Sequence, residues 1–504
     1  AGAAESDYEI NGNAPNAQLV FMGNPGLRTE TILASMDDCL YLEVDVVNCS
    51  FGTQGVMLDG AVEKINLERL AIENMEKTGI QVCVSAGNSD KYAFDGKALL
   101  CHPAYSIPGY PSALPSVLTI ASAESMLDIN TLVTASDCFV YSVNVNAEYD
   151  AYDLDGKRIE YVVVPGLGTA ADFEGIDVSG KYVLVRRGEI TFEEKSRNAA
   201  EAGATGIIFY NNVPEEGALI ASGSVLPGFF LSLEDGLRLA ELPEKILHFH
   251  VSVSYQEGSP YVSDFTNWGV TNLLTLKPDL MCFGGAIYSS IPDNQYDFMS
   301  GTSMASPQAA GLYAVMKQNL ATQKEKYGIK ENADYSGIIS DLLMSTAQNV
   351  LDPGNGVVIS PRRQGNGIPN IKKALEKPAY LYTDCLKDYN RPKVSLGDDR
   401  ERTGNYTFCF YVKNISETAV TYELSYDLIS DAVSGDHTEN PFDDELASHA
   451  RNLSGSVKFC DVEGSEIDTI TVGAGAVAKI DVFISLSSDD MAYMNRYFEN
   501  GTYA

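Results

Sequence analysis

The sequence predicts an α/β protein whose parallel sheet carries helices on both faces, followed by an antiparallel β-sandwich. Short runs rich in Val and Ile alternate with a longer helical pattern up to about residue 125, which is typical of buried parallel strands joined by helices. The same character returns near Val262. From about residue 380 the hydrophobic pattern repeats every second residue, as it does in the strands of a sandwich. Between the two α/β stretches the chain turns acidic and strand-rich, which predicts an insert of α+β or β character.

Length and composition limit the classes of partner. The chain has 504 residues, of which 45% are hydrophobic, so about three or four domains with large cores are expected. A net charge of −34 argues against nucleic acid and anionic membranes as partners. Nine scattered cysteines match neither a zinc site nor a disulfide framework, and we expect Cys49, Cys83 and Cys409 to pack as small hydrophobic side chains. No run of about 18 apolar residues occurs, so no membrane span is expected.

The first α/β stretch contains three predicted strands and one predicted helix. We place the strands at Tyr41–Val47, Gln81–Ser85 and Val117–Ala121, and the helix between residues 61 and 77, with Gly79 ending it. Five residues of this helix stand at helical spacing, as on one face of an amphipathic helix: Leu67, Leu70, Ala71, Asn74 and Met75.

One serine precedes the most apolar helical stretch of the chain. Gly301-Thr302-Ser303-Met304-Ala305-Ser306-Pro307 leads into a run without charge up to Lys317, and a helix that is apolar all round is a buried helix. We place Pro307 in the first turn, where backbone amides have no partner within the helix. Ser303 then lies at the amino end, where the helix dipole and unpaired N–H groups favour negative charge. This position suits a nucleophile whose attack creates an oxyanion, although serine is also a common helix cap.

Two polar loops follow predicted strands in the first α/β stretch. Asn48-Cys49-Ser50-Phe51-Gly52 follows one strand, and Ser85-Ala86-Gly87-Asn88-Ser89 follows the next. Open α/β sheets place their ligands at the carboxyl ends of strands, so both loops are candidates for a site. The Asn88 carboxamide would suit a developing oxyanion, while the alternative is that Asn88 only forms a turn.

Four segments in this order make the chain resemble the subtilases, which are subtilisin-like serine proteases. The resemblance is carried by Ser50-Phe51-Gly52, by Ala86-Gly87-Asn88, by Tyr110-Pro111-Ser112-Ala113-Leu114-Pro115-Ser116-Val117 and by the serine motif from Gly301 to Pro307. It implies a subtilisin-like parallel sheet, with Ser303 as the catalytic nucleophile and Asn88 as a donor to the oxyanion. It also implies that further residues bind substrate, namely Ser50, Phe51, Gly52, Ala86, Gly87 and Gly109, the last at the floor of the specificity pocket.

The other two members of the subtilase triad are not found in this sequence. Subtilases carry Asp, then His, then Ser along the chain. The segment Asn13-Ala14-Pro15-Asn16-Ala17-Gln18-Leu19-Val20 resembles the one that shortly follows the catalytic His, and none of the five histidines has the right order or context: His102, His248, His250, His437 and His449. Ala1-Gly2-Ala3-Ala4 has neither an initiator Met nor a signal peptide. We therefore expect a fragment or processed piece whose Asp and His come from missing N-terminal sequence or a separate chain.

The remaining segments resemble the architecture of lactocepin-type cell-envelope proteinases. The resemblance divides the chain into a first catalytic part at 1–130, a protease-associated insert at 131–258, a second catalytic part with the nucleophile at 259–378, and a truncated fibronectin type III-like β-sandwich at 379–504. In the insert we predict a strand at 181–186, a helix capped by Thr191, and a strand at 206–210. No titratable constellation occurs there, so we expect it to gate or bind substrate.

The sequence thus predicts a serine endopeptidase that hydrolyses peptide bonds of proteins, with this chain alone inactive for want of the Asp and the His. No cofactor or metal is expected, and the expected partners are a protein or peptide substrate and the missing N-terminal segment. The resemblance implies a secreted or cell-surface protein of a bacterium. One alternative is a catalytically dead scaffold that binds partners through the insert and sandwich. Another is an unrelated serine hydrolase, which the lack of Gly-x-Ser-x-Gly around Ser303 disfavours.

Overall fold

The computed structural model divides the chain into two compact units. One unit comprises Ala1–Ser125 with Gly258–Ala504, and the other comprises Met126–Glu257. The residues that the structure describes are 12–23, 28–53, 62–89, 98–99, 107–125, 127–135, 138–141, 143–144, 156–213, 224–255, 260–271, 274–292, 295–385, 389, 391–434 and 445–498.

The first stretch of the larger unit alternates helices and strands. In chain order its elements are α1 (Thr29–Tyr41), β1 (Val46–Cys49), α2 (Val62–Lys77), β2 (Gln81–Ser85), β3 (Ala98–Leu99) and β4 (Leu118–Glu124). The strand predicted at 41–47 is wrong at its start, because Tyr41 ends α1 and β1 begins only at Val46. The apolar run is split by a turn in which Glu43 has φ 50°.

The buried face of α2 differs from the predicted one. Ile72 and Met75 are fully buried, whereas Leu67 is 60% and Leu70 is 44% exposed. The predicted stop is present, since Gly79 has φ +85° and donates its N–H to the carbonyl of Glu76. The buried face of α2 is therefore narrower than the pattern of apolar residues predicts.

The smaller unit is built on one mixed sheet of eight strands. Its elements in chain order are β5 (Leu127–Ala135), β6 (Cys138–Tyr141), β7 (Val143–Asn144), β8 (Arg158–Val163), a 3-10 turn (Ala170–Phe173), β9 (Tyr182–Arg186), α3 (Phe192–Glu201), β10 (Gly206–Tyr210), β11 (Gly228–Leu231), α4 (Leu233–Glu241) and β12 (Ile246–Tyr255). The strand order is β6-β5-β12-β8-β9-β10-β11-β7, and the four strands from β8 to β11 are parallel. The cap predicted for α3 is present, because Thr191 Oγ1 accepts the Glu194 N–H at 3.1 Å.

The larger unit resumes with the strand that completes its central sheet and with most of its helices. These elements are β13 (Leu280–Gly285), the hairpin β14 (Ile287–Ile291) and β15 (Gln295–Met299), then α5 (Thr302–Ala321), α6 (Lys324–Tyr327), α7 (Ala333–Ser345), α8 (Pro361–Gln364) and α9 (Ile371–Glu376). The central sheet has the order β1-β2-β4-β13 with every pairing parallel. One apolar cluster joins it to α5 and α7, and another joins it to α1 and α2. Helices thus cover both faces, as predicted for an α/β fold.

The last stretch is antiparallel. Its elements are β16 (Ala379–Tyr382), β17 (Asn405–Asn414), β18 (Val420–Glu423), β19 (Ile429–Ser434), β20 (Glu445–Asn452), β21 (Ser456–Cys460), β22 (Thr469–Val472), β23 (Val477–Ser485) and α10 (Ser488–Phe498). Four strands form a sheet of order β16-β17-β23-β21, and β18 pairs with β22. Val412 and Val482 of the first sheet share one cluster with Val472 of the second. The period-two pattern of the sequence corresponds to this core.

No described helix combines the length and the apolar character needed to cross a bilayer.

Candidate active site

Ser303 lies near the amino end of the central buried helix. It is the second residue of α5, it is half-buried, and it follows the fully buried Thr302. The face that holds α5 on the central sheet has no exposed surface and comprises Ala305, Ala309, Tyr313, Met316 and Leu320. Because the first amides of a helix have no partner within it, the N–H of Ser303 belongs to the set that can bind an anion.

The Pro307 position differs from the prediction. Pro307 is the sixth residue of α5, and so it lies inside the helix rather than in its first turn. In an α-helix the N–H of residue 307 would be the one to bond the carbonyl of residue 303, and proline has none. The Ser303 carbonyl instead accepts the hydroxyl of Ser50 at 2.8 Å.

The Asn88 side chain is held against the start of α5. Its Oδ1 accepts the backbone N–H of Thr302 at 2.9 Å and the Thr302 hydroxyl at 2.8 Å. Both contacts are donors, which fixes Oδ1 as the inward atom and leaves Nδ2 as the outward one. A Cβ on Gly301 would lie 3.1 Å from that Nδ2, so the glycine leaves room for the carboxamide. Asn88 itself is exposed to solvent. Asn88, in the loop after β2, therefore contacts the residue directly before Ser303.

Hydrogen bonds to the residues on either side of Asn88 hold its loop in place. Ala86 is fully buried and donates its N–H to the Ile120 carbonyl at 2.9 Å. Gly87 has φ +110°, and a Cβ there would lie 2.4 Å from Asn267 Nδ2, so only glycine fits. Asn267 is 1% exposed, and its Oδ1 accepts the Ser89 N–H at 2.7 Å.

Ser50 contacts Ser303 in both directions. The Ser303 hydroxyl donates to the carbonyl of Ser50 at 3.2 Å, and the Ser50 hydroxyl donates to the carbonyl of Ser303 at 2.8 Å. Asn48 Nδ2 donates to Ser50 Oγ at 3.0 Å. The carboxyl end of β1 thus reaches the amino end of α5.

The other predicted substrate-binding residues lie next to this contact. Phe51 packs partly buried against the cluster beneath α1 and α2. Gly52 approaches Tyr110 closely, since a Cβ on Gly52 would lie 3.0 Å from the Tyr110 carbonyl oxygen. The Thr53 N–H donates to the same oxygen at 2.8 Å. Gly109 is buried, and its carbonyl accepts the Ala113 N–H at 2.7 Å.

Among the histidines, His449 is paired with a carboxylate. Its Nδ1 lies 2.8 Å from Asp352 Oδ2. His248 lies in β12 of the smaller unit, and His102 falls outside the described residues. Across the described part of the chain, no group of three or more His, Cys, Asp or Glu side chains is placed to hold a metal ion.

A buried ionic group lies beside the start of β4, where the Thr119 N–H donates to Asp279 Oδ2 at 2.7 Å. Asp279 bonds the ammonium groups of Lys277 and Lys393 at 2.7 and 2.5 Å, and all three side chains are buried. Although burial by itself raises the pKa of the Asp279 carboxyl, the two ammonium groups hold it below its usual value. Burial raises the pKa of Glu76 to about 7, against the lowering effect of the Arg391 guanidinium. These groups form ion pairs with one another inside the larger unit.

Sequence reasoning missed two residues that build this site. Thr302 orients the Asn88 carboxamide, and Asn267 anchors the loop on either side of Asn88. The signal for Thr302 was its place beside the nucleophile in an unusually small-residue motif. A signal for Asn267 was its position directly before Trp268, the one tryptophan of the chain.

Comparison with known proteins gives a family match for most of the chain. A model described as the subtilase family matches residues 1–367. The chain is 31% identical over 458 residues to a C5a peptidase of Streptococcus pyogenes serotype M6, a match that covers 85% of the chain and 36% of the relative. It is 29% identical over 528 residues to a PII-type proteinase of Lacticaseibacillus paracasei, covering 95% of the chain and 26% of that relative.

A solved structure was also matched, that of the subtilisin-like protease Apa1 from the Antarctic psychrotroph Pseudoalteromonas sp. AS-11. The identity is 17%, the TM-score is 0.30, and the match covers 68% of this chain and 72% of that one. The chain spans only 36% and 26% of the two curated relatives named above. The family match nevertheless covers well over half of the sequence, and it includes both Ser303 and Asn88. The chain belongs to the subtilase family of serine peptidases.

Proposed function

We propose that this chain is the nucleophile-bearing part of a serine endopeptidase that cleaves proteins through an acyl-enzyme. The Ser303 oxygen attacks the carbonyl carbon of a peptide bond, and its proton passes to a histidine. That histidine then protonates the leaving amine, and water releases the acyl group by the reverse sequence. The observation that carries the proposal is the joint position of the Ser303 hydroxyl and the Asn88 carboxamide around Thr302.

The oxyanion of the tetrahedral intermediate is stabilised by two donors. One is the backbone N–H of Ser303, at the electropositive end of α5. The other is Nδ2 of Asn88, which the two hydrogen bonds from Thr302 to Oδ1 turn outward. Removing one such donor from an oxyanion hole typically lowers the rate by about two to three orders of magnitude.

The histidine and its orienting aspartate come from polypeptide outside this chain, N-terminal to it. The support is that His449, which lies in the same unit as Ser303, is paired with Asp352. A serine hydroxyl without a base is a weak nucleophile, so the chain alone is nearly inert.

The substrate binds as an added strand along Ser50, Phe51 and Gly52, with main-chain groups pairing to main-chain groups. Gly109 lies at the floor of the specificity pocket, where its lack of a side chain implies a roomy pocket. The smaller unit is a protease-associated insert that gates or binds substrate, and the antiparallel stretch is a fibronectin type III-like sandwich. The whole protein is secreted or lies on the surface of a bacterial cell.

The test is reconstitution. The chain is joined to, or mixed with, the segment that supplies the Asp and the His, and hydrolysis of a protein substrate is followed. Activity is expected from the combination and not from the chain alone, and Ser303→Ala is expected to abolish it. Normal cleavage by the reconstituted Ser303→Ala protein would show that the nucleophile is wrongly assigned.

A catalytically dead scaffold that binds proteins through its insert and sandwich is the competing function. Retention of the ordered Asn88 and Ser303 pair argues against it, because a scaffold requires neither group. Labelling with a fluorophosphonate separates the two, since only an activated serine reacts rapidly. Full-length protein that folds but does not label would favour the scaffold.

A further inference from the structure

The carbonyl of Ser303 lacks the hydrogen bond that a helix normally gives it. In α5 the residue four positions later is Pro307, which has no N–H to donate to that carbonyl. An unpaired carbonyl beside the nucleophile would tend to tilt outward toward another donor, and with it the Ser303 side chain would move. The position of the nucleophile therefore depends on whatever replaces the missing N–H.

We propose that the Ser50 side chain is a positioning residue for the nucleophile, because its hydroxyl supplies the hydrogen bond that Pro307 cannot give to the Ser303 carbonyl. The donor and the acceptor are 2.8 Å apart. This role rests on the proposed function and goes beyond it, since that function uses only main-chain groups of residues 50 to 52.

The direction of the Ser50 hydroxyl is itself fixed. Asn48 Nδ2 donates to Ser50 Oγ at 3.0 Å, so the oxygen accepts from Asn48 and turns its own proton to Ser303. The carbonyl of Ser50 in turn accepts the Ser303 hydroxyl at 3.2 Å. One residue at the end of β1 thus holds Ser303 by its backbone and by its side chain at once.

The arrangement links substrate binding to nucleophile position. Ser50 begins the segment that pairs with the substrate backbone, and it also fixes the first turn of α5 from the side. A change of one hydrogen bond here moves the attacking oxygen relative to the bound carbonyl, and such misplacement lowers the rate of acylation more than it weakens binding.

The experiment uses the reconstituted enzyme and the variant Ser50→Ala. We measure kcat and KM on a chromogenic peptide, the rate constant for inactivation by a fluorophosphonate, and the melting temperature. Both kcat and the inactivation rate are expected to fall about tenfold together, a change of about 1.4 kcal/mol, while KM stays within about twofold. A rise in KM alone, or a change in melting temperature alone, would contradict the positioning role.

A matched control separates position from stability. Ser345 is likewise half-buried, and its hydroxyl donates to the carbonyl of Leu381 at 3.2 Å, far from Ser303 in the sequence. Ser345→Ala is expected to lower the melting temperature and to leave kcat and the fluorophosphonate rate within about twofold of the parent. If Ser345→Ala lowers kcat as much as Ser50→Ala does, the effect is general and the inference fails.

Two rescue variants test the cause. Ser50→Thr keeps a hydroxyl and should retain kcat within about threefold of the parent. Adding Pro307→Ala to Ser50→Ala gives residue 307 an N–H for the Ser303 carbonyl, and about half of the lost activity, on a logarithmic scale, should return. If Ser50→Thr does not fold, the Pro307 variant decides, and no recovery in it overturns the inference.

Failure of this inference is distinct from failure of the proposed function. If Ser303→Ala still cleaves, the nucleophile is wrong whatever the Ser50 variants do. If Ser303→Ala is inactive and Ser50→Ala keeps full kcat, only the role of the Ser50 hydroxyl is overturned.

Discussion

At the scale of single residues, hydrogen bonds from Thr302 orient the polar side chain of Asn88. Thr302 uses its backbone N–H and its hydroxyl on the same Asn88 oxygen, and that hydroxyl also accepts the Gly87 N–H at 3.1 Å. A buried threonine therefore connects the helix that carries the proposed nucleophile to the loop that carries the proposed oxyanion donor. Under this proposal, Thr302 contributes to catalysis by orienting the Asn88 carboxamide.

Thr302→Ala is expected to lower kcat of the reconstituted enzyme about tenfold with little change in KM. The Asn88 carboxamide keeps one of its two fixing bonds, so the loss is smaller than the two to three orders of magnitude typical of deleting an oxyanion donor. Thr302→Ser retains the hydroxyl and serves as the control, with kcat expected near the parent value. Equal kcat for the Ala and Ser variants, measured on a peptide substrate, would exclude this role.

At the scale of elements, the strands and the helix that form the site could be predicted from sequence because their signals are local. β2 coincides with its predicted bounds, and the apolar run after Ser303 is the buried α5. The failures have nonlocal causes. Tyr41 ends a helix whose Met36 and Cys39 side chains are buried in the core. Leu67 is apolar but exposed, because no other described element packs against that side of α2 closely enough to bury it.

The site itself was predictable only as a set of residues, not as a network of contacts. Asn267 lies 178 residues from Ser89, whose N–H it binds, and no periodicity predicts such a pair. The hydrogen bond that replaces the missing N–H of Pro307 is equally nonlocal, because its donor is Ser50, which directly follows β1 and lies 253 residues from Ser303. Side-chain hydrogen bonds between distant segments leave no pattern in one sequence.

The junction of α2 with α7 depends on a glycine. Gly79 ends α2 in a left-handed conformation, with the Gly79 N–H on the Glu76 carbonyl and the Ile80 N–H on the Met75 carbonyl, both at 2.9 Å. A Cβ at Gly79 would lie 1.9 Å from the backbone oxygen of Asn332, next to the start of α7. A side chain at residue 79 therefore has no room between the two helices.

Gly79→Ala is therefore expected to destabilise the protein by about 3 kcal/mol, which combines the left-handed backbone with the backbone clash. Gly328→Ala is the matched control, because Gly328 has φ +69° and a Cβ added to it would meet no described heavy atom within 4 Å. That variant should cost only about 1 kcal/mol. Urea midpoints measure both, and equal losses would contradict the steric argument.

The Glu76 carboxyl in α2 is expected to make the stability of the protein depend on pH. Burial raises its pKa to about 7 in the folded chain, above the unfolded value. Between the unfolded pKa and about pH 7 the folded state holds a proton that the unfolded state has released, so stability falls as the pH rises through this window. Glu76→Gln removes this loss, and its stability relative to the parent should improve by up to about 1.4 kcal/mol per pH unit from pH 5 to 7. Urea unfolding at both pH values measures the difference, and parallel curves would show that Glu76 does not titrate there.

At the scale of the whole molecule, the segment that follows the family match is part of the core of the larger unit. Lys393 lies beyond residue 367, where the match ends, yet its ammonium bonds the buried Asp279 at 2.5 Å. Ser395 Oγ accepts the Leu276 N–H at 2.8 Å from the same segment. Arg391 Nη2 donates to the Ser116 carbonyl at 3.0 Å. The part of the chain that matches the family therefore receives a buried positive charge from residues C-terminal to it.

Lys393→Met is expected to destabilise the larger unit by about 3 kcal/mol, because it leaves a buried carboxylate with one ammonium partner instead of two. Lys458→Met is the control, since Lys458 and its partner Glu466 are 57% and 59% exposed, and such pairs contribute well under about 1 kcal/mol. Adding Asp279→Asn to Lys393→Met should cost less than the sum of the two single changes, because the second substitution removes the charge that the first left unpaired. Urea midpoints for the parent, Lys393→Met, Asp279→Asn and the double variant give this coupling. Additive losses, or a Lys393→Met midpoint equal to that of Lys458→Met, would mean that the C-terminal segment does not stabilise the family-matched part through Lys393.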